Sequence, residues 1–119
     1  MYGCKKLGSI DPNDKCLIIK IRQDIVNERG SIYEAVRWSW KIKMTRADEV
    51  EYVLAVINGV VRGIFKNLKW QKCHRNRQGR IEFEGVIVKD GEIYDKYIDK
   101  LIPEKYRKKG QANPVITPY

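Results

Sequence analysis

The sequence predicts an α+β domain, a small, mostly antiparallel, strongly curved sheet or partly open β-barrel with two or three short helices. Three features carry that expectation. In "YVLAVINGVVRGIF", two β-branched apolar runs flank Asn58-Gly59, a pair suited to the positive φ angles of a type I′ turn, so Tyr52–Ile57 and Val60–Phe65 should form a hairpin. In "RIEFEGVIV", Ile81, Phe83, Gly85 and Ile87 alternate with Glu82, Glu84, Val86 and Val88, which marks a strand with one drier face. Helical spacing is confined to short stretches. A hairpin apolar on both faces, with about five strands in all and little helix to cover them, is most simply buried by curving the sheet.

Taken in chain order, "CLIIKI" (16–21) follows the turn-forming "DPND" and is short, apolar and rich in isoleucine, as a buried strand is. "RQDIVNERGS" suits a loop or short helical turn stopped at Gly30. "SIYEAVRW" sets Ile32, Ala35 and Val36 at helical spacing, whereas "VRWSWKIKM" alternates and suits extended chain. In "TRADEVE", Thr45 and Asp48 have the arrangement of a capping box, predicting one or two helical turns before the hairpin. Gly63, inside the second hairpin strand, predicts a bulge or a close approach by another group. "DGEIYDKYIDKLI" sets Ile93, Tyr97 and Leu101 four residues apart with Tyr94 and Ile98 beside them, a short amphipathic helix that Pro103 would end or kink. "GQANPVITPY" should close the sheet as an edge strand, because Pro114 and Pro118 cannot donate to a ladder.

The chain of 119 residues has the length of a single domain, 1–119, with residues 1–15 expected to be a loosely held N-terminal segment. Its longest apolar run, Tyr52 to Ile57, is far too short to span a bilayer, and "MYGCKKLGSIDPND" does not read as a secretory signal. Cys4, Cys16 and Cys73 are odd in number and far apart, which fits isolated thiols in a reducing, cytoplasmic setting. With His74 they lack the close C-x2-C pairs of a structural zinc site, and no cofactor is expected.

Catalytic patterns are weak. Acyl transfer would need a base beside a nucleophile, and Cys73 and the single histidine, His74, are sequence neighbours that point to opposite faces of an extended chain. A phosphate-cradling glycine loop is absent from the sequence. Glu82 and Glu84 share a face of one strand and would be the candidates for a small metal-dependent nuclease; a solvent-facing pair near a basic segment is the more ordinary meaning. The chain is thus better read as a binding protein than as an enzyme.

Charge and aromatics point to binding. Net charge is +9, of which residues 1–60 carry +2 and residues 61–119 carry +7. "FKNLKWQKCHRNRQGR" (65–80) holds Lys66, Lys69, Lys72, Arg75, Arg77 and Arg80 without an acidic residue, and "EKYRKKG" adds Lys105, Arg107, Lys108 and Lys109. Such runs attract phosphate backbones through counterion release, and they also serve simply as solvated loops. Tyr33, Trp38, Trp40 and Trp70 are interspersed with Arg37, Arg62 and Arg80; aromatic faces stack on bases while arginine forks hold phosphates. In an extended "RWSWKI", Trp38 and Trp40 would share a face, which permits a stacking wall, although tryptophans in so small a domain are commonly core. Glu34 is the expected partner of Arg37.

The set "YEAVRWSW", "ADEVEYVLAVINGVVRGIF", Trp70, "RIEFEG" and "GQANPV", spanning residues 16–116, resembles a group of short uncharacterised bacterial proteins. The strand order and hairpin are similar to those of the PUA-like superfamily, with its EVE, YTH and ASCH domains, curved-barrel modules many of which bind RNA or modified DNA bases. That resemblance implies a pocket near Arg37, Trp38 and Trp40, with Arg62 and Asn113 as polar readers. The expectation is a module that binds RNA or DNA, tracking the backbone with Lys69, Lys72 and Arg75 and contacting a flipped or modified base with its aromatics. The alternatives are a protein-interaction or regulatory module with an acidic partner, and the small nuclease.

Overall fold

The computed structural model describes residues 5–38, 40–73, 80–107 and 115–118. They form one five-stranded mixed sheet in the order β4-β3-β2-β1-β5, open rather than closed into a barrel. The strands are β1 (Cys16–Ile21), β2 (Tyr52–Ile57), β3 (Val60–Lys72), β4 (Ile81–Ile87) and β5 (Val115–Ile116). Four short helices accompany them, α1 (Gln23–Arg29), α2 (Ile32–Val36), α3 (Met44–Ala47) and α4 (Glu92–Tyr97). The α+β class and the predicted order of elements hold. β5 pairs with β1 at the edge, as expected of the C-terminal segment, whose residues 108–114 lie outside the described residues.

One pairing was not expected. β1 and β2 run parallel, joined by the long connection that carries α1, α2 and α3. Parallel neighbours require such a crossover, and both then lie between covering layers, which is why "CLIIKI" and "YVLAVI" are apolar throughout. On one face Leu17, Ile19, Val53, Ala55, Phe65 and Phe83 pack with Val26, Ala35 and Val36 from α1 and α2. On the other, Cys16, Ile18, Leu54, Val56 and Ile64 pack with Ile10, Tyr97 and Ile102.

The hairpin turns through Asn58 (φ 51°) and Gly59 (φ 82°) as the Asn-Gly pair predicts. Its second strand, however, continues to Lys72 with two bulges. Ala55 pairs with Gly63 but Val56 with Val61, so Arg62 is the extra residue of the first. Lys66 pairs with Val86 and Lys69 with Glu84, so Asn67 and Leu68 oppose Gly85 alone, with Asn67 at φ 54°. The basic run is therefore strand as far as Lys72 and not a solvated loop there; residues 74–79, with His74, Arg75 and Arg77, lie outside the described residues.

Local details differ at three places. Thr45 sits inside the single turn of α3, with Lys43 at the N-cap, so the expected capping box does not form. Instead Ser31 caps α2, its Oγ accepting from the Glu34 amide at 3.1 Å. α4 ends at Tyr97, well before Pro103, and Asp99 turns the chain at φ 58°. Residues 5–15, expected to be loosely held, are largely exposed but anchored at points: the Leu7 amide donates to Leu101 O at 2.9 Å, the Leu101 amide donates to Lys5 O at 2.8 Å, and Ile10 is buried. Among the described residues no helix is long and apolar enough to cross a membrane.

Candidate functional site

The expected site residues separate into groups with different surroundings. Trp40 joins the sheet rather than a pocket. Its backbone exchanges two 2.9 Å bonds with Ile81 at the outer edge of β4, and its indole Nε1 donates to Val36 O at 2.6 Å. Trp70 lies against Phe83, ring centroids 5.0 Å apart, and its Nε1 is buried with no hydrogen-bond partner among the described residues. Both pack against the core that covers this face of the sheet.

Trp38 is half-buried, and the cation beside it is Arg29, not Arg37. The Arg29 guanidinium lies 4.0 Å from the indole centroid, and its Nη1 donates to Trp38 O at 2.7 Å and Ala35 O at 3.3 Å. This clamp fixes the chain leaving α2 onto the end of α1.

Arg37 is used within the fold. Its Nε donates to Phe83 O at 3.2 Å, while its terminal nitrogens stand 3.8 Å from Glu34 and 3.6 Å from Glu82. Glu34 is thus a partner as expected, but Glu82 is the buried one: it is 1% exposed and accepts from Gln71 Nε2 at 3.0 Å. The expected solvent-facing pair of Glu82 and Glu84 is corrected accordingly, since only Glu84 is exposed. Among the described residues no three of His, Cys, Asp or Glu are grouped to hold a metal ion.

Tyr33 and Arg62 do meet at a cavity. A cleft of about 390 Å³ opens on the α2 side of the sheet, lined by Ser31, Ile32, Tyr33, Arg62, Gly63, Phe65, Gly85 and Ile87. Two glycines form part of its lining because larger residues would collide there. A Cβ on Gly63 would stand 3.1 Å from Ile32 Cγ2, and one on Gly85 3.0 Å from both Leu68 Cδ2 and Lys66 O, where the second bulge pushes β3 forward. Tyr33 forms an aromatic wall, its ring 5.4 Å from that of Phe65. It is held from both ends: the Gly85 amide donates to its hydroxyl at 3.2 Å, and the Arg37 guanidinium stands 5.7 Å from its ring.

Arg62, placed at the rim by the first bulge, has Asp99 at 3.3 Å, both side chains more than half exposed. An exposed pair of this kind contributes little, so the guanidinium can turn to an anionic ligand at small cost. Ile87, half exposed, adds apolar surface at the mouth.

No protein-family model, curated protein or solved structure matches this chain. The cleft is therefore read from its own geometry. It is concave, chiefly apolar, bordered by two glycines and has one cation among its lining residues, features suited to an apolar group carrying negative charge nearby.

The remaining expected residues are dispersed. Lys69 is exposed on β3 opposite Glu84, Lys72 is exposed opposite Ile81 on the other face of the ribbon, and Arg80 is half-buried. Arg75 and Asn113 lie outside the described residues. Gly85, Phe65 and Ile87 were not singled out from sequence. The signal available was Gly85 within an otherwise alternating strand, the same signal that did mark Gly63.

Proposed function

We propose that the chain is a nucleic-acid-binding module of PUA-like type that holds a base in the Tyr33 cleft. The observation that carries this reading is the cleft itself, a glycine-bordered slot of about 390 Å³ with an aromatic wall and an arginine at its rim, on a chain of net charge +9. A base entering it would lie against Tyr33 and Phe65, with the next phosphate within reach of Arg62. The two bulges in β3 are the fold's contribution, since one places Arg62 and the other requires Gly85. Compared with the expectation from sequence, the base-contacting role moves from the tryptophans to Tyr33, and Lys69 and Lys72 provide field rather than specificity.

Electrophoretic titration with single-stranded RNA and DNA at low salt tests the proposal. Retention that weakens as salt rises is expected, and the double substitution Lys69→Glu with Lys72→Glu should weaken all sequences alike. Gly63→Ala, which narrows the slot, should reduce discrimination among bases while leaving the salt dependence in place. No retention of any nucleic acid would overturn the proposal. Were the alternative of an acidic protein partner correct, a stable protein complex would form with no affinity for nucleic acid.

A further inference from the structure

On the opposite face of the sheet a second cleft, of about 520 Å³, opens beyond the carboxyl ends of β1 and β2, and it has the chemistry of an anion site. Lys20 comes from β1, Asn58 and Gly59 from the hairpin turn, and Arg107 from the segment after α4, over an apolar floor of Val56 and Ile102. No acidic residue is among the described lining residues.

The cations are held there by the fold. Lys20 is the register partner of Val56 and is half-buried, and burial lowers its pKa. Arg107 lays its stem across the turn, its Cδ only 2.9 Å from where a Gly59 Cβ would stand, and its Nε donates to Ile102 O at 2.9 Å. That bond fixes the guanidinium while its terminal nitrogens have no partner among the described residues. A fixed guanidinium fork and an ammonium lining one partly desolvated cleft match a dianion better than a monoanion, and a fork suits phosphate oxygens.

We infer that this cleft binds a small organic phosphate monoester, with the phosphate on Lys20 and Arg107 and its organic body over Val56 and Ile102. The site is separate from the Tyr33 cleft and does not depend on the reading given to it.

Amide chemical-shift titration of the full chain at constant ionic strength provides the test, with a nucleoside 5′-monophosphate, inorganic phosphate, succinate and an oligonucleotide lacking terminal phosphates as probes. The monophosphate should produce saturable shifts at Lys20, Asn58, Gly59 and Ile102. Inorganic phosphate should shift the same amides more weakly, and succinate and the oligonucleotide should leave them unmoved. Arg107→Gln and Lys20→Met should each weaken monophosphate binding by at least about tenfold, as loss of one member of a desolvated charge contact does. Lys20→Met keeps the apolar stem, so it remains informative if replacing Arg107 disturbs the turn. Absence of saturable shifts in the unsubstituted chain, equal binding of succinate, or unchanged affinity in Lys20→Met would overturn the inference. Shifts at these amides with the oligonucleotide alone would assign the cleft to a backbone phosphodiester and overturn it equally.

Discussion

Trp40 combines in one residue what a stacking residue and a structural brace have in common, a large apolar face with one donor. The deciding fact is where the donor goes. Its Nε1 is spent on Val36 O at 2.6 Å and its backbone on Ile81, so the indole ties α2 to the outer edge of β4. Trp40→Ala should therefore lower stability by about 3 kcal/mol in urea unfolding, as removal of a large packed aromatic does. Trp38→Ala should cost less, since it is half-buried and chiefly loses the Arg29 clamp. Tyr97 is a second residue whose role is set by its polar end. It is fully buried, donates its hydroxyl proton to Asp14 and accepts from the Asp11 amide at 3.2 Å. Tyr97→Phe leaves both groups short of a partner and should cost about 1–3 kcal/mol by the same measurement.

Among the elements, β3 was the least legible from sequence and matters most to the site. The hairpin could be read because turn chemistry is local: Asn58-Gly59 selects its turn with no help from the rest of the chain. Gly59→Ala would force a Cβ into positive φ and against Arg107, and should lower the midpoint of thermal unfolding with a loss of about 1–2 kcal/mol. The extension of β3 to Lys72 was hidden by its bulges, each of which breaks the period of two that identifies a strand. The parallel pairing of β1 with β2 was hidden for a different reason, since it depends on contacts across a long connection. The burial of Glu82 shares that cause. Nothing in "RIEFEG" shows that Arg37, delivered by α2 from far along the chain, will cover one of its two glutamates. In α2 the helix start was legible but overlooked: "SIYE" is a Ser-x-x-Glu sequence, and Ser31 performs the cap there.

For the whole molecule, one face of the sheet closes over groups that resist losing a proton at high pH. Burial pushes the Cys16 thiol up to about 12, and burial followed by the bond to Asp14 pushes the Tyr97 hydroxyl up as well. The hydrogen bond to Asp14 raises Lys96, which is held at 2.7 Å from that carboxylate and 3.2 Å from Asp11. Each folded value lies above its unfolded one, so each contribution is complete below the unfolded pKa and is lost as pH rises toward the folded value. Thermal unfolding midpoints should begin to fall near about pH 8.5, where an unfolded cysteine ionises, and fall further past about pH 10 with tyrosine and lysine. Cys16→Ala should remove the first part of that decline and leave the second. At neutral pH the same burial should keep Cys16 unreactive toward thiol reagents until the chain is unfolded.

The placement of a nucleotide base in the Tyr33 cleft is tested most directly by following the amides of Gly63, Gly85 and Ile87 while single-stranded oligonucleotides of different base composition are titrated at low salt. The proposed function predicts saturable shifts at those three positions that differ among bases and disappear in Gly63→Ala, while salt-dependent shifts along β3 persist. Oligonucleotide binding that moves the β3 amides and leaves Gly63, Gly85 and Ile87 unchanged would contradict it.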